Sequence, residues 1–323
     1  MLIEVTEWLR KRSWSAADRP LHELISAKRR AGSAGTVSVV LPALNEEATV
    51  GPIVAAIRRE LMEAVPLVDE LVVVDSGSTD RTAAVAAAAG ARVVHRDAIL
   101  PRIPAAPGKG EVLWRSLLVT SGEIVCFVDS DLREFDSAFV SGIVGPLLTE
   151  PGVDFVKAMY DRPLETAAGV VPGGGGRVTE LVARPLLNLH WPRLAGFVQP
   201  LGGEYAARRS LLERLPFPTG YGVEIGLLVD ALESAGLDAL AQVDVGVRHH
   251  RHQDGAALGR MAATIYATAL SRLGGGEFDA RPRLTQFQRD AEGFAPYTTD
   301  VAAEERPPMR DVPEYAARWA RTA

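Results

Sequence analysis

A single cysteine, Cys126, stands in 323 residues, so the chain has neither an internal disulfide framework nor a multi-cysteine zinc site. Set inside the apolar run Glu123-Ile124-Val125-Cys126-Phe127-Val128, it reads as a small core residue. No uninterrupted apolar stretch approaches the roughly 20 residues of a membrane span. Residues 1–30 mix Trp8, Trp14 and several charges without the basic start and apolar centre of a signal peptide, and a cytoplasmic protein away from the membrane is the expectation. Basic charge is not in excess either: 35 Lys and Arg stand against 41 Asp and Glu, and the net −6 argues against a general nucleic-acid binder. No internal repeat is found. What the chain does have is an ordinary globular composition, 47% apolar and 24% charged, and length enough for one large α/β domain, alone or with a smaller appendage.

Four segments follow from the pattern. Residues 1–35 are polar and end in Ser33-Ala34-Gly35, which reads as a flexible lead into the main fold. Residues 36–152 alternate strand and helix: strands at 36–42, 70–75, 91–94 and 123–128, helices at 46–61, 79–89 and 109–120. Apolar strands separated by helices indicate a parallel sheet with right-handed crossovers, a nucleotide-binding α/β half. Residues 153–273 are less regular, with strands at 153–159 and 241–247 and helices at 180–189, 224–235 and 256–273. Residues 274–323, rich in Pro, Gly and charge, read as a loosely packed arm that wraps the body or a partner subunit.

The chemistry gathers where strands end. Asp129-Ser130-Asp131 follows the most apolar strand, so it delivers two carboxylates to the carboxyl edge of the sheet, where open α/β folds bind ligands. Hard oxygen ligands favour Mg²⁺ or Mn²⁺, and Mg²⁺ takes one or two protein carboxylates while phosphate oxygens and water complete its shell. Pro42-Ala43-Leu44-Asn45-Glu46-Glu47 and Asp75-Ser76-Gly77-Ser78-Thr79-Asp80 end two further strands at the same edge. Helix capping by Asn45, Ser78 or Thr79 is the plainer alternative for each taken alone. Pro107-Gly108-Lys109-Gly110 brings a lysine between glycines before a helix, close enough for a phosphate, although the P-loop spacing and its following Ser or Thr are missing. In the second half, Gly173-Gly174-Gly175-Gly176 followed by Arg177-Val178-Thr179 resembles an anion nest suited to a phosphorylated or carboxylated acceptor, with a flexible surface turn as the alternative. His250 ends a strand and could complete a metal site with Asp131, or simply belong to the exposed polar strip Arg248-His249-His250-Arg251-His252.

Taken in order, Leu41-Pro42-Ala43-Leu44-Asn45-Glu46-Glu47-Ala48-Thr49, Asp75 to Asp80, Pro107 to Glu111, Gly174 to Leu187 and Tyr221-Gly222-Val223-Glu224-Ile225-Gly226 resemble the retaining glycosyltransferases that make glucosyl-3-phosphoglycerate, a family that also contains mannosyl-3-phosphoglycerate synthases. The resemblance covers residues 36–273. It implies an α/β fold of the nucleotide-sugar-binding GT-A type, a mainly parallel central sheet with a less regular acceptor-binding half, a homodimer, and a divalent cation, Mg²⁺ or Mn²⁺, on the donor diphosphate. By the same resemblance Pro42, Ala43, Leu44, Glu46, Ser76 and Lys109 hold the nucleotide and Asp129 and Ser130 contact the donor. Asp131 and His250 ligate the metal, and Gly176, Arg177 and Thr179 bind 3-phosphoglycerate. Tyr221 and Glu224 lie near the sugar and acceptor, Glu224 being the family's candidate for assisting acceptor activation.

Two departures from the glucosyl enzymes, Leu132-Arg133-Glu134-Phe135-Asp136 and Arg251-His252-Gln253-Asp254, flank the expected metal and sugar, and on sequence alone rank mannose from GDP-mannose ahead of glucose from UDP-glucose or GDP-glucose. No carboxylate stands out as a nucleophile for double displacement, which favours a front-face reaction with Lys109 and the metal stabilising the diphosphate and Glu224 orienting the acceptor hydroxyl. Two other classes remain: a sugar-phosphate nucleotidyltransferase, disfavoured by the missing Gly-rich, Arg-containing first loop, and a nucleotide-sugar-binding protein without catalysis.

Overall fold

The computed structural model describes residues 1–166, 169–171, 175–249, 254–274, 282–289, 293–301 and 304–320. Eight strands form one sheet, in the spatial order Ser13–Ser15, Leu240–Val247, Phe155–Asp161, Tyr205–Arg208, Ile124–Phe127, Val37–Ala43, Glu70–Asp75, Arg92–His95. Every neighbouring pair is parallel except the two made by Tyr205–Arg208, which runs antiparallel between Ile124–Phe127 and Phe155–Asp161.

The sheet has a separate core on each face because successive residues of a strand point to opposite sides. Val40, Val72, Val74, Val125 and Phe127 enter one core, while Val39, Leu41, Val73, Ile124 and Cys126 enter the other. That two-sided burial is what makes these strands read as continuous apolar runs. Cys126 is fully buried, as the sequence indicates. From Val37–Ala43 the chain crosses to Glu70–Asp75 on one side, and from Ile124–Phe127 it moves towards Phe155–Asp161 on the other. The carboxyl ends of these two neighbours therefore flank a topological switch point, where a crevice opens.

Three segments differ from the sequence reading. Ser33-Ala34-Gly35, expected as a flexible entry, lies in a short helical turn, and the segment before it is packed on the body: its helix Ile3–Arg12 buries Val5 and Trp8, the Trp8 indole N–H donates to the Leu240 carbonyl at 2.7 Å, and Ser13–Ser15 becomes an edge strand of the main sheet. Gly35 is buried in a short helical turn against Lys28. The helix expected over 46–61 begins only at Val50, runs to Ile57 and widens into a π-type turn over Arg58–Ala64. The C-terminal arm does wrap the body, and more tightly than its composition suggests: Met309, Val312 and Tyr315 are buried in the core, and Glu305–Arg306 pairs antiparallel with Phe217–Pro218. A hairpin, Arg283–Arg289 with Phe294–Asp300, forms its own two-stranded sheet.

Buried charge stitches the layers together. Arg209, which follows the antiparallel strand, donates to the carbonyls of Gly122 at 2.7 Å and Leu117 at 2.9 Å and to the Thr120 hydroxyl at 2.9 Å, fixing the end of the Lys109–Val119 helix to the start of Ile124–Phe127. Among the described residues no helix is long and apolar enough to cross a membrane.

Candidate active site

At the switch point, the turn after Val37–Ala43 and the turn after Ile124–Phe127 are joined directly. The Ser130 hydroxyl donates to the Pro42 carbonyl at 2.6 Å, and the Thr49 hydroxyl donates to the Ser130 carbonyl at 2.6 Å. Asn45, with φ at 58° in the left-handed region that Asn tolerates, caps no helix. Instead its backbone N–H donates to the Ser78 hydroxyl, and its side-chain oxygen accepts from the Thr79 N–H at 2.8 Å. Asp75 in turn accepts from the Gly77 and Ser78 N–H groups. The motif residues Asn45, Asp75, Ser78 and Thr79 thus lace two loops into one rim and leave Leu44, Glu46 and Ser76 on the cavity side.

The cavity has a volume of about 500 Å³, within the usual range for ligand sites. Its walls bring together fourteen of the fifteen residues singled out from sequence: Pro42, Ala43, Leu44, Glu46 and Ser76 from the first two loops; Lys109, Asp129, Ser130 and Asp131, which make a charged floor; Gly176, Arg177 and Thr179 from the glycine-rich turn; and Tyr221 and Glu224. The fifteenth, His250, lies outside the described residues, as do Gly173 and Gly174 of the glycine run and Arg251, His252 and Gln253 of the second departure. His249, next to it, is tied to the first departure, its carbonyl accepting from the Arg133 N–H at 3.0 Å.

The floor is a buried ionic network. Lys109 Nζ bridges Asp129 and Glu224, the latter at 2.9 Å. Burial disfavours the ammonium, but Asp129 and Glu224 outweigh it and hold the lysine well above its ordinary pKa. Burial likewise works against ionised Asp129, yet Lys109 and Arg248 hold that carboxyl down to about 2. Arg248 donates to Asp129 at 2.9 Å, to Asp131 at 3.1 Å and to Glu204 at 2.9 Å, and Glu204 also accepts from the Tyr160 hydroxyl at 2.8 Å. Asp131 behaves differently: burial, with Asp129 and Glu204 adding to it, raises its pKa against the pull of Arg248. A half-buried acid in that state gains from a further cation. Among the described residues no group of three or more His, Cys, Asp or Glu forms a metal cage. A single hard carboxylate beside an open cavity suits a Mg²⁺ or Mn²⁺ ion that draws its other ligands from diphosphate and water.

Gly176 has φ at 74°, the Gly175 N–H donates to the Arg162 carbonyl at 2.8 Å, and both glycines of the described half of the run line the cavity. Thr179 opens a π-type turn, Thr179–Ala183, in which Thr179 itself is buried.

Sequence reasoning missed Arg248, Glu204, Tyr160 and Lys157. Lys157 carried a legible signal, a lone charge amid an apolar strand. It is fully buried, donates to the Gly202 carbonyl at 2.8 Å and sits 4.7 Å from the centre of the Tyr205 ring. Burial pulls its pKa down to about 8, with Lys109 in the same sense and Glu224, Glu204 and Asp129 opposing. Between about 8 and the ordinary lysine value of 10.5 the unfolded chain therefore holds a proton that the folded chain has lost, and stability gains with rising pH through this window. Urea unfolding of the wild type minus that of Lys157→Met should show this gain across pH 8 to 10; a difference flat in pH would refute it.

A model of Glycosyl transferase family 2 matches residues 38–163, the span from the first long strand through the paired Asp. The glucosyl-3-phosphoglycerate synthase of Mycolicibacterium smegmatis is 52% identical over 94% of this chain and 97% of its own. The crystal structure of glucosyl-3-phosphoglycerate synthase from Mycobacterium tuberculosis in complex with Mn²⁺, uridine-diphosphate-glucose and phosphoglyceric acid superposes with a TM-score of 0.80 at 51% identity, covering 90% of this chain and 94% of that one. The structure of the same enzyme with Mg²⁺ and uridine-diphosphate gives a TM-score of 0.81 at 50% identity over 93% and 98%. With its GT-A sheet, its paired Asp at the switch point and this likeness along nearly its whole length, the chain belongs to the glucosyl-3-phosphoglycerate synthase family of glycosyltransferases.

Proposed function

We propose that this protein transfers glucose, with retention, from UDP-glucose to the free hydroxyl of 3-phosphoglycerate. The observation that carries the reading is one cavity lined both by paired carboxylates with a lysine and by a glycine-arginine turn, groups suited to a metal-bound diphosphate and to a small anion. The two sequence departures rank GDP-mannose first; the glucosyl relatives, and the UDP-glucose held by one of them, move UDP-glucose ahead.

Pro42, Ala43, Leu44, Glu46 and Ser76 are assigned to the nucleotide, Asp129 and Ser130 to the donor, and Gly176, Arg177 and Thr179 to the acceptor anion. Asp131, with His250, would hold a divalent cation that neutralises charge on the diphosphate. Asp129 and Glu224 are both engaged by Lys109, and Glu204 is enclosed by Arg248 and Tyr160. None of these carboxylates is free to attack the anomeric carbon, which supports the front-face route. In it the bond from the anomeric carbon to the diphosphate breaks, the bond to the acceptor oxygen forms on the same face, and the acceptor proton passes to the departing phosphate oxygen. Lys109 stabilises the charge that builds on that oxygen, Glu224 orients the acceptor hydroxyl, and Tyr221, half exposed at the rim, packs over the acceptor.

Product formation from 3-phosphoglycerate with UDP-glucose, GDP-glucose and GDP-mannose in parallel should be fastest with UDP-glucose and abolished by chelator; faster transfer from GDP-mannose would reverse the donor assignment, and no transfer from any donor together with pyrophosphate release from UTP and glucose 1-phosphate would point to a nucleotidyltransferase. Glu224→Gln should lower kcat by about 10²-fold while calorimetry finds UDP binding within about threefold of wild type; an unaltered kcat removes Glu224 from the mechanism. We also infer a homodimer. The hairpin supports it, since Phe287 and Phe294 are about two-thirds exposed and Tyr297 about half, at 65%, 66% and 46%. Light scattering at the mass of one chain would exclude the dimer.

A further inference from the structure

Resting on the transferase reading, we propose that Arg306 is a positioning residue: through Glu111 it holds Lys109 in register with Tyr221 and Glu224, making the C-terminal strand a working part of the site.

Lys109 opens the helix Lys109–Val119, and Glu111, fully buried, sits in that first turn. The Glu111 carboxylate accepts from Arg306 Nε at 2.6 Å and from Arg115 Nε at 2.6 Å. Arg306 also donates to the Pro104 carbonyl at 2.7 Å, so one guanidinium grips both the helix start and the loop leading into it. The same strand grips the other side. Glu305 and Arg306 pair with Pro218 and Phe217, the Thr219 N–H donates to the Glu304 carbonyl at 2.9 Å, and the Glu111 N–H donates to the Thr219 carbonyl at 3.1 Å. Two residues after Thr219 comes Tyr221, and then the helix Val223–Ala235 that carries Glu224 in its first turn.

Between these two walls there is no slack. A Cβ added at Gly108 would lie 2.6 Å from the Thr219 carbonyl oxygen, and one added at Gly110 would overlap the Pro218 carbonyl. Glu305 is anchored in turn by Arg272, which binds Asp230 at 2.8 Å on the Glu224 helix. One two-residue strand is thus bonded to both elements whose side chains, Lys109 and Glu224, meet 2.9 Å apart in the cavity. Shifting either element by a few tenths of an ångström lengthens that contact. An interaction that strengthens as charge builds on the leaving group loses more in kcat than in ground-state binding.

The test compares Arg306→Met, Arg306→Lys and, as a control on the same arm, Arg310→Met, whose guanidinium pairs, among the described residues, with the exposed Asp311. Arg306→Met should lower kcat at least tenfold with KM for UDP-glucose changed less than threefold, Arg306→Lys should recover at least a third of wild-type kcat, and Arg310→Met should match wild type. Hydrogen exchange supplies a readout free of turnover: in Arg306→Met the Glu111 and Thr219 amides should exchange at least tenfold faster than in wild type. Unchanged kcat, a matching rise in KM, no recovery with lysine, or unchanged exchange at both amides would each overturn the proposal. If Arg306→Met does not fold, Arg306→Gln against Arg306→Lys gives the same comparison with the same thresholds. A wild type that transfers no sugar fails the transferase reading alone, and the exchange rates still decide the role of Arg306.

Discussion

Lys109 held between Asp129 and Glu224 is the contact on which the rest of the site depends. The three side chains come from a helix start, a strand end and a second helix start, far apart in sequence, and they meet on the cavity floor with Lys109 and Asp129 half-buried. A lysine this enclosed keeps its charge because its partners outweigh desolvation, so the folded chain must keep the three elements in one arrangement. Glycine is one means. A Cβ at Gly203 would overlap both Asp129 and Lys109, so the loop beside the antiparallel strand must be bare there for the pair to close. Arg248 is another, since it ties the same Asp129 to Asp131 and Glu204 and thereby joins the strand Leu240–Val247 to the strand end carrying the paired Asp.

Much of the α/β half is legible in the sequence because three of its four strands are buried on both faces and end in polar turns, while the fourth, Arg92–His95, is a half-covered edge strand marked by Val93 and Val94 between polar residues. Glu70–Asp75 is read residue for residue, and the other three strands of that half to within one residue at each end. What escapes has a physical reason. Tyr205–Arg208 is short and alanine-rich, with no pattern of its own; it is a strand because Tyr205 is packed between Phe127 and Phe155, with ring centres 5.1 and 5.4 Å away. The first helix buries only Val5 and Trp8 of its ten residues, too narrow a stripe to stand out among charges. The C-terminal strand pairs over two residues only, and its role lies in Arg306 reaching an acid almost two hundred positions earlier.

The candidate site was legible for a different reason: its residues sit in loops after strands, and the sheet brings strand ends to one edge whatever the details of packing. Arg248 was illegible by contrast. It stands before two histidines that draw attention as metal ligands, and nothing in its neighbourhood says that three acids from other elements converge on it. Ligand-facing residues follow from topology, whereas the groups that hold them follow from packing, which a single sequence does not display.

The charges on the floor also explain why a cation belongs in the proposed reaction. Asp129, Asp131, Glu204 and Glu224 lie together among Lys109, Arg248 and Lys157, with Arg162 also acting on Asp129, and Lys109 and Arg248 are already bonded to carboxylates. A diphosphate arriving there adds negative charge beside these acids, and the raised pKa of Asp131 shows that Arg248 does not offset the burial and the neighbouring carboxylates that act on it. A divalent ion beside Asp131 would relieve both conditions together, lowering the cost of ionising a half-buried acid and adding to the positive charge that Lys109 offers the diphosphate. The acids that fix Lys109 and Arg248 in place thus also give the proposed donor site its use for a metal.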